Sequence, residues 1–187
     1  MMTPAVLALI SVAASLYAIL APAAPDWAIV ALPALLASLF LLGQAALRQR
    51  PAAKRWIVVD GSNVMHWKDN TPDLGTLARV VQLLGDQGFS PVVIFDANAG
   101  YLVNGRYQSG PALGRQIGLP GNQVTVVPRG TPADPVILAR ARALGARIVT
   151  NDRYRDWADD HPEIASPGHL VRGGLRGPDI SLDLRRA

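Results

Sequence analysis

Asp60 ends the apolar run Trp56-Ile57-Val58-Val59, and Asp96 ends Val92-Val93-Ile94-Phe95. Asp134 opens a helix-like stretch after Thr131-Pro132-Ala133, and Asp152 follows Arg147-Ile148-Val149-Thr150 and Asn151. Hard cations such as Mg2+ and Mn2+ prefer carboxylate oxygens completed by water and substrate phosphate. One or two such ions activate water and stabilise a leaving oxygen without Cys or His. A single loop Asp is more often a turn or cap residue, and Asp134 alone would serve as an N-cap. Their joint placement points to a divalent-metal site.

The flanking residues sharpen this. In Asp60-Gly61-Ser62-Asn63-Val64, Gly61 permits a tight turn close to a ligand, and Ser62 and Asn63 can hydrogen-bond a carboxylate or a water. In Thr150-Asn151-Asp152-Arg153-Tyr154-Arg155-Asp156-Trp157, Asp152 and Asp156 stand four apart, a spacing that converges on one helical face. Arg153 and Arg155 suit phosphate, and Tyr154 suits stacking on a base. Lys68, Arg106 and Arg129 are further phosphate candidates. His66 is a candidate acid or base, with a loop position as the blander alternative. Trp67, Tyr101 and Tyr107 offer stacking surfaces, although loop aromatics more often close a core edge. His161 and His169 have no partner at metal-ligand spacing.

The elements that must position these residues alternate along the chain. Strands are predicted near 56–60, 91–95, 123–127 and 146–150. Leu74, Leu77, Val80, Val81 and Leu84 recur at helical spacing, with Asp73 as N-cap and Gly85 or Gly88 at the end. A short helix is expected around 111–117 within a Gly-rich stretch. Another helix starts at Pro132 and Asp134 and ends at Gly145, its apolar positions including Val136, Ile137, Ala139, Ala143 and Leu144. A further short helix begins at 152–157. A terminal β-hairpin is expected over 169–184, turning at Arg176-Gly177-Pro178-Asp179. Uniformly apolar strands between helices predict an α/β fold with a mostly parallel sheet covered on both faces. In such sheets ligands bind beyond the carboxyl ends of the strands, where Asp60, Asp96 and Asp152 fall.

Composition divides the chain. Of 18 Lys and Arg and 14 Asp and Glu, only Asp26 lies within residues 1–47. The runs 4–24 and 27–47 are free of charge except at the break around Asp26, and each is long enough to cross a bilayer. They are expected to form a transmembrane helical hairpin with Trp27 at the interface. A cleaved signal peptide fits less well, because no positive charge precedes the first run and a second follows. One span plus a buried helix stays open because of Pro33. The basic linker 48–54 and Arg55 place the following domain in the cytoplasm by the positive-inside rule. The Arg-rich, Ala-rich composition suits a bacterial chain, and so the inner membrane. The absence of Cys excludes disulfides, thiolate metal sites and Cys nucleophiles. The basic balance favours an anionic partner, nucleic acid or lipid headgroups.

Val59-Asp60-Gly61-Ser62-Asn63-Val64 and Thr150-Asn151-Asp152-Arg153-Tyr154-Arg155-Asp156 resemble the signature segments of NYN-type ribonucleases of the PIN-like superfamily, the regnase-type enzymes above all. Ala133-Asp134-Pro135-Val136-Ile137-Leu138-Ala139 is similar to that family's acidic helix start. The resemblance covers about 55–160 and implies a Rossmann-like three-layer α/β/α sandwich over 55–187 that cleaves RNA with Mg2+ or Mn2+. It implies that Asp60, Asp134 and Asp152 hold the metal and that Asn63 and Asp156 complete the acidic pocket. Ser62, Lys68, Arg129, Arg153, Tyr154 and Arg155 are the expected substrate contacts. Two departures stand out. The acidic pair of the third motif is here Ala133-Asp134, and Asp96 sits where regnase-type members often lack an acid. Asp156 therefore ranks above Asp96. The expected function is a membrane-anchored, metal-dependent endoribonuclease. An RNA-binding scaffold at the membrane and a DNase or flap-type nuclease are the alternatives. RNA, membrane lipid and a second copy of the chain are the partners considered.

Overall fold

The computed structural model describes residues 6, 10, 12–13, 16–17, 27–48, 54–177 and 179–184, with the backbone alone for 27–32 and 45–48. Met1–Ala53 and Lys54–Ala187 form two separate units. In the first, helix α1 covers Trp27–Arg48 and contains Pro33. Among the described residues no helix is long and apolar enough to cross a membrane. The expected span 4–24 lies almost wholly outside the described residues, as do residues 49–53 of the basic linker.

The second unit alternates strand and helix. Its elements are β1 (Arg55–Asp60), α2 (Gly61–Val64), α3 (Leu74–Asp86), β2 (Phe89–Phe95), α4 (Ala99–Asn104), α5 (Gly110–Ile117), β3 (Val124–Val126), α6 (Ala133–Leu144), β4 (Arg147–Val149), β5 (Leu170–Val171), β6 (Gly173–Arg176) and β7 (Asp179–Leu182). The main sheet has the order β3-β2-β1-β4-β5, every neighbouring pair parallel. β6 and β7 form a separate antiparallel hairpin.

The three layers follow from strand alternation. Ile57 and Val59 point to one face with Val93, Phe95, Leu77, Val80, Leu84, Leu113 and Ile117. Val58 and Ile94 point to the other with Ile137, Leu138, Ala141 and Ile148. Both faces of β1 are dry from Ile57 to Val59, and that run is continuously apolar, as a parallel strand covered on both sides requires. Each fully buried Val, Leu or Ile contributes roughly 1.5–3 kcal/mol.

Most of the sequence expectations hold within a residue or two. Asp73 caps α3 as predicted, its carboxylate accepting from Gly75 N at 2.9 Å, Thr76 N at 3.2 Å and Thr76 Oγ1 at 2.7 Å. Those bonds, led by the Thr76 hydroxyl, hold its pKa below the usual carboxylate range. Four readings need correction. The expected hairpin 169–184 is two structures: Leu170–Val171 is the fifth parallel strand, and only Gly173–Leu182 turns back on itself. A two-residue strand beside a hairpin carries no periodicity of its own to mark the boundary. The buried face of α6 is Ile137, Leu138 and Ala141, with Ala139 and Ala143 exposed, because alanine is neutral about which side it faces. Residues 152–157 are not one helix, for only Arg155–Trp157 makes a single 3-10 turn, entered through a left-handed Tyr154. The short helices α2 and α4 carry no apolar repeat and escaped sequence reading.

Gly61 is required for a reason different from the one its motif suggests. A Cβ there would lie 2.8 Å from the Phe95 ring and 2.8 Å from Val93 Cγ1. The close approach is of the α2 turn to β2, which brings the residue after Asp60 down onto the sheet.

Candidate functional site

The order of the sheet reverses around β1. From β1 the chain goes outward to β2 and β3, then returns to the other side of β1 as β4. The crevice between the carboxyl ends of β1 and β4 is the topological switch point, where α/β sheets bind ligands. Val59 is in register with Val149, so Asp60 and Thr150 emerge side by side.

A cleft of about 400 Å³ opens there, lined by Asp60, Asp96, Asp134 and Asp152 together with Ser62, Asn63, His66, Asn70 and Asn98. No Lys or Arg lines it. Among the described residues none of the four carboxylates has an ion-pair partner. The crowding of charge is felt at Asp134. Burial raises the Asp134 pKa, and the charges of Asp152 and then Asp96 raise it further. Asp134 is in the first turn of α6, but Pro132 is the N-cap residue and no side chain caps the helix. Its carboxylate is therefore not consumed by capping.

Asp60 is the most constrained of the four. It is 6% exposed. Its Oδ1 accepts from Asn63 N at 3.0 Å, and its Oδ2 accepts from the Thr150 hydroxyl at 3.1 Å and the Tyr154 hydroxyl at 2.9 Å. Burial pushes its pKa up to about 6, and those three hydrogen bonds limit the rise. The Tyr154 hydroxyl is held far above its ordinary pKa, first by burial and then by the Asp60 charge, so it remains a donor.

Tyr154 was expected to stack on a base, and the structure corrects this. It is 2% exposed and packs in the core layer of α6. Its φ is 48°, a left-handed conformation that a bulky aromatic rarely adopts. Two bonds hold it there: the hydroxyl to Asp60, and its backbone N–H to Asp152 Oδ1 at 2.9 Å. Asp152 N in turn donates to Thr150 Oγ1 at 3.0 Å. Asp60, Thr150, Asp152 and Tyr154 thus form one closed network across β1 and β4.

Asn63 lines the cleft, yet its Oδ1 accepts from Trp67 Nε1 at 3.0 Å and from Asn151 N at 2.9 Å. Asn151 also exchanges two hydrogen bonds with the backbone of Gly173 in β6. Asn63 and Asn151 therefore tie α2, the loop after β4 and the hairpin together. Ser62 Oγ accepts from Asp96 N at 2.9 Å and fixes the end of β2. The His66 ring bonds through Nδ1 to Ser62 O at 2.7 Å. With Nδ1 as the donor, Nε2 is left without a proton of its own in the neutral ring.

The structure places two of the acids differently from their order in the sequence reading. Asp96, ranked last, lines the cleft with the other three. Asp156 does not line it, lies exposed on the 3-10 turn, and is the last of the charges acting on Asp134. Asp152 and Asp156 share no helical face, because the only turn of helix there is Arg155–Trp157. Ala133, where the resemblance led to a second acid being expected, is buried against the core, and the fourth carboxylate lining the cleft is Asp96, just past the end of β2. Lys68, Arg129, Arg153 and Arg155 are all exposed and lie outside the cleft. Thr150 and Asn151 were missed as positioning residues. Their signal was present in the motif, but only strand pairing shows whom they face.

The donor set is all oxygen and carries no compensating cation, which fits a hard divalent ion. Among the described residues no three His, Asp or Glu side chains are placed to hold a metal by themselves. An ion that keeps several waters and takes substrate oxygens suits such an open arrangement.

The sequence matches the family described as Zc3h12a-like Ribonuclease NYN domain over residues 53–167. No curated protein matches the chain. Among solved structures, that of Arabidopsis thaliana nuclear protein-only RNase P 2 is similar at 19% identity and a TM-score of 0.53, over 77% of this chain and 32% of that one. A crystal structure of nuclear proteinaceous RNase P 2 from A. thaliana matches at 20% identity and a TM-score of 0.49, over 84% and 35%. The chain spans about a third of the length of the solved structures it matches. The first likeness is one of fold.

Proposed function

The chain belongs to the Zc3h12a-like ribonuclease NYN domain family, and from that premise we propose that it is a metal-dependent endoribonuclease hydrolysing RNA phosphodiester bonds. The observation that carries this reading is the convergence of Asp60, Asp96, Asp134 and Asp152 on one cleft at the switch point of the sheet. Asp60, Asp134 and Asp152, completed by water and substrate oxygens, would hold Mg2+ or Mn2+, with Asp96 as a fourth carboxylate in the cleft. When bound, such an ion neutralises phosphate charge and makes a water more acidic.

The chain's own residues do the rest. Tyr154, Thr150 and Asn63 N fix the Asp60 carboxylate in a single orientation. The Asp152 carboxylate is held by the backbone of Tyr154. His66, anchored on Ser62 O, presents its free nitrogen as a proton acceptor or, when charged, a donor. Arg153 and Arg155 are exposed and follow Asp152 in the chain, and they would meet flanking phosphates.

The test uses the full chain purified in detergent, with labelled single-stranded RNA and DNA of one sequence. RNA cleavage is expected with Mg2+ or Mn2+ and none in EDTA. Salt-sensitive RNA binding without metal-dependent cleavage would identify a binding scaffold instead. Preferential cleavage of the DNA would move the reading to a DNase.

The same proposal places the domain on the cytoplasmic face of a bacterial inner membrane, anchored by residues 1–47. Support comes from the two uncharged runs and from the Lys and Arg of 48–55 that follow them. Alkaline carbonate should leave the full chain in the membrane fraction, and residues 55–187 should be digested only in inverted vesicles. Release by carbonate sinks the anchor without touching the nuclease reading.

A further inference from the structure

Beside the acidic cleft lies a second groove of about 700 Å³, lined by Asn98, Tyr101, Tyr107, Val127 and Arg129 among others. Asn98 lines both cavities, so they share a wall. Tyr101 is 56% exposed and Tyr107 59%. Their position is built into the backbone. A Cβ at Gly100 would lie 2.5 Å from Gln108 N and 2.8 Å from Arg106 O, so the bare glycine lets the 106–108 segment press against α4. That contact holds the segment carrying Tyr107 along the helix carrying Tyr101, and both line the groove. The segment is held further by the buried Gln108, which bonds to Gln116 of α5. Trp67 makes the contrast: it donates to Asn63 and packs on the core edge.

The acidic cleft contains no cation, so RNA phosphates flanking the scissile one need positive charge outside it. Arg129 sits at the groove and has no ion-pair partner among the described residues. Exposed aromatic faces next to an unpaired guanidinium are the chemistry that takes an unpaired base and its phosphate. A base inside a duplex is already stacked on its neighbours and has no face to offer.

We propose that Tyr101, Tyr107 and Arg129 form a subsite in which a base of single-stranded RNA, next to the cleaved phosphate, stacks on tyrosine. This rests on the ribonuclease reading, but its test does not need cleavage. A short single-stranded RNA carrying one 2-aminopurine is titrated in EDTA against the full chain in detergent. Wild type should quench the 2-aminopurine on binding. The double variant Tyr101→Ala/Tyr107→Ala should bind about tenfold or more weakly and lose the quench. Tyr101→Phe/Tyr107→Phe should restore both, since phenylalanine stacks as well as tyrosine. Arg129→Ala should weaken binding and reduce its salt dependence, with the quench retained at saturation. Binding by the double alanine variant within twofold of wild type, or wild-type binding without a quench, overturns the subsite. Either result is independent of metal-dependent cleavage, so the subsite and the nuclease can fail separately.

Discussion

Asp60→Asn is expected to reduce RNA cleavage by about a hundredfold or more and, at the same time, to stabilise the metal-free protein at pH 8. The two effects have one cause. Asp60 is buried at the end of β1, and burial has pushed its pKa up to about 6 from 3.8. The raised value means that the folded state favours the protonated form. Its contribution to stability is fully present below pH 4 and is lost as pH rises through about 6. Above that, the ionised carboxylate costs the fold up to about 3 kcal/mol. An Asn of the same shape carries no charge to desolvate. Its Oδ1 keeps the bond from Asn63 N, and the Thr150 and Tyr154 hydroxyls can turn to accept from its Nδ2. Melting temperatures in EDTA check this: the variant should melt several degrees above wild type at pH 8, with the gain shrinking between pH 6 and pH 4. A gain independent of pH, or none at pH 8, sinks the burial argument. Asp152→Asn supplies the contrast. Asp152 is exposed, and an Asn keeps the oxygen that accepts from Tyr154 N. Its stability should stay within about 0.5 kcal/mol of wild type while cleavage falls as far as for Asp60→Asn.

Tyr154→Phe is expected to cost about 1.5–3 kcal/mol at pH 8, the range for a hydrogen bond to a charged group. The loss removes one of the three donors that limit the Asp60 pKa. That pKa should therefore rise further, and the low-pH limb of the cleavage profile should move to higher pH. At pH 4, with Asp60 protonated in the folded state, the cost should be smaller. Tyr154→Ala should lose about 3–5 kcal/mol at every pH, because it empties a site in the core layer of α6. Calorimetry across pH 4–8 and a pH profile of cleavage read both. A tyrosine that stacked on RNA would tolerate Phe in both measurements, so a neutral Tyr154→Phe would overturn the positioning role.

Much of the architecture was legible because parallel sheets write themselves plainly. Trp56 to Asp60 and Val92 to Asp96 are apolar runs ending in acid, and only a strand covered on both faces tolerates such a run. The helix from Leu74 announces itself by its cap and its spacing. The site was read less evenly. Asp60 and Asp152 carry motifs, whereas Asp96 carries none, and only the folded chain brings it to the cleft. The four-residue spacing of Asp152 and Asp156 suggests a shared helical face, but the helix does not form and Asp156 stays outside the cleft. Tyr154 sat between two arginines in a polar segment, where nothing local distinguishes a base-stacking ring from one turned inward. The exposure of Tyr101 and Tyr107 was equally illegible, since a Gly-rich stretch gives no period.

Read alone, the sequence shows which residues are acidic, which segments are strands and that carboxylates stand at strand ends. Those facts follow from side-chain type and local periodicity, which survive without knowing what packs on what. Which acids share a cleft depends on how the strands pair. The return of the chain to β4 on the far side of β1 places Thr150 and Tyr154 against Asp60 across about 90 residues of sequence. Strand order is a long-range pairing with no local signature. It also decides burial, and burial is what lifts the Asp60 pKa toward neutrality.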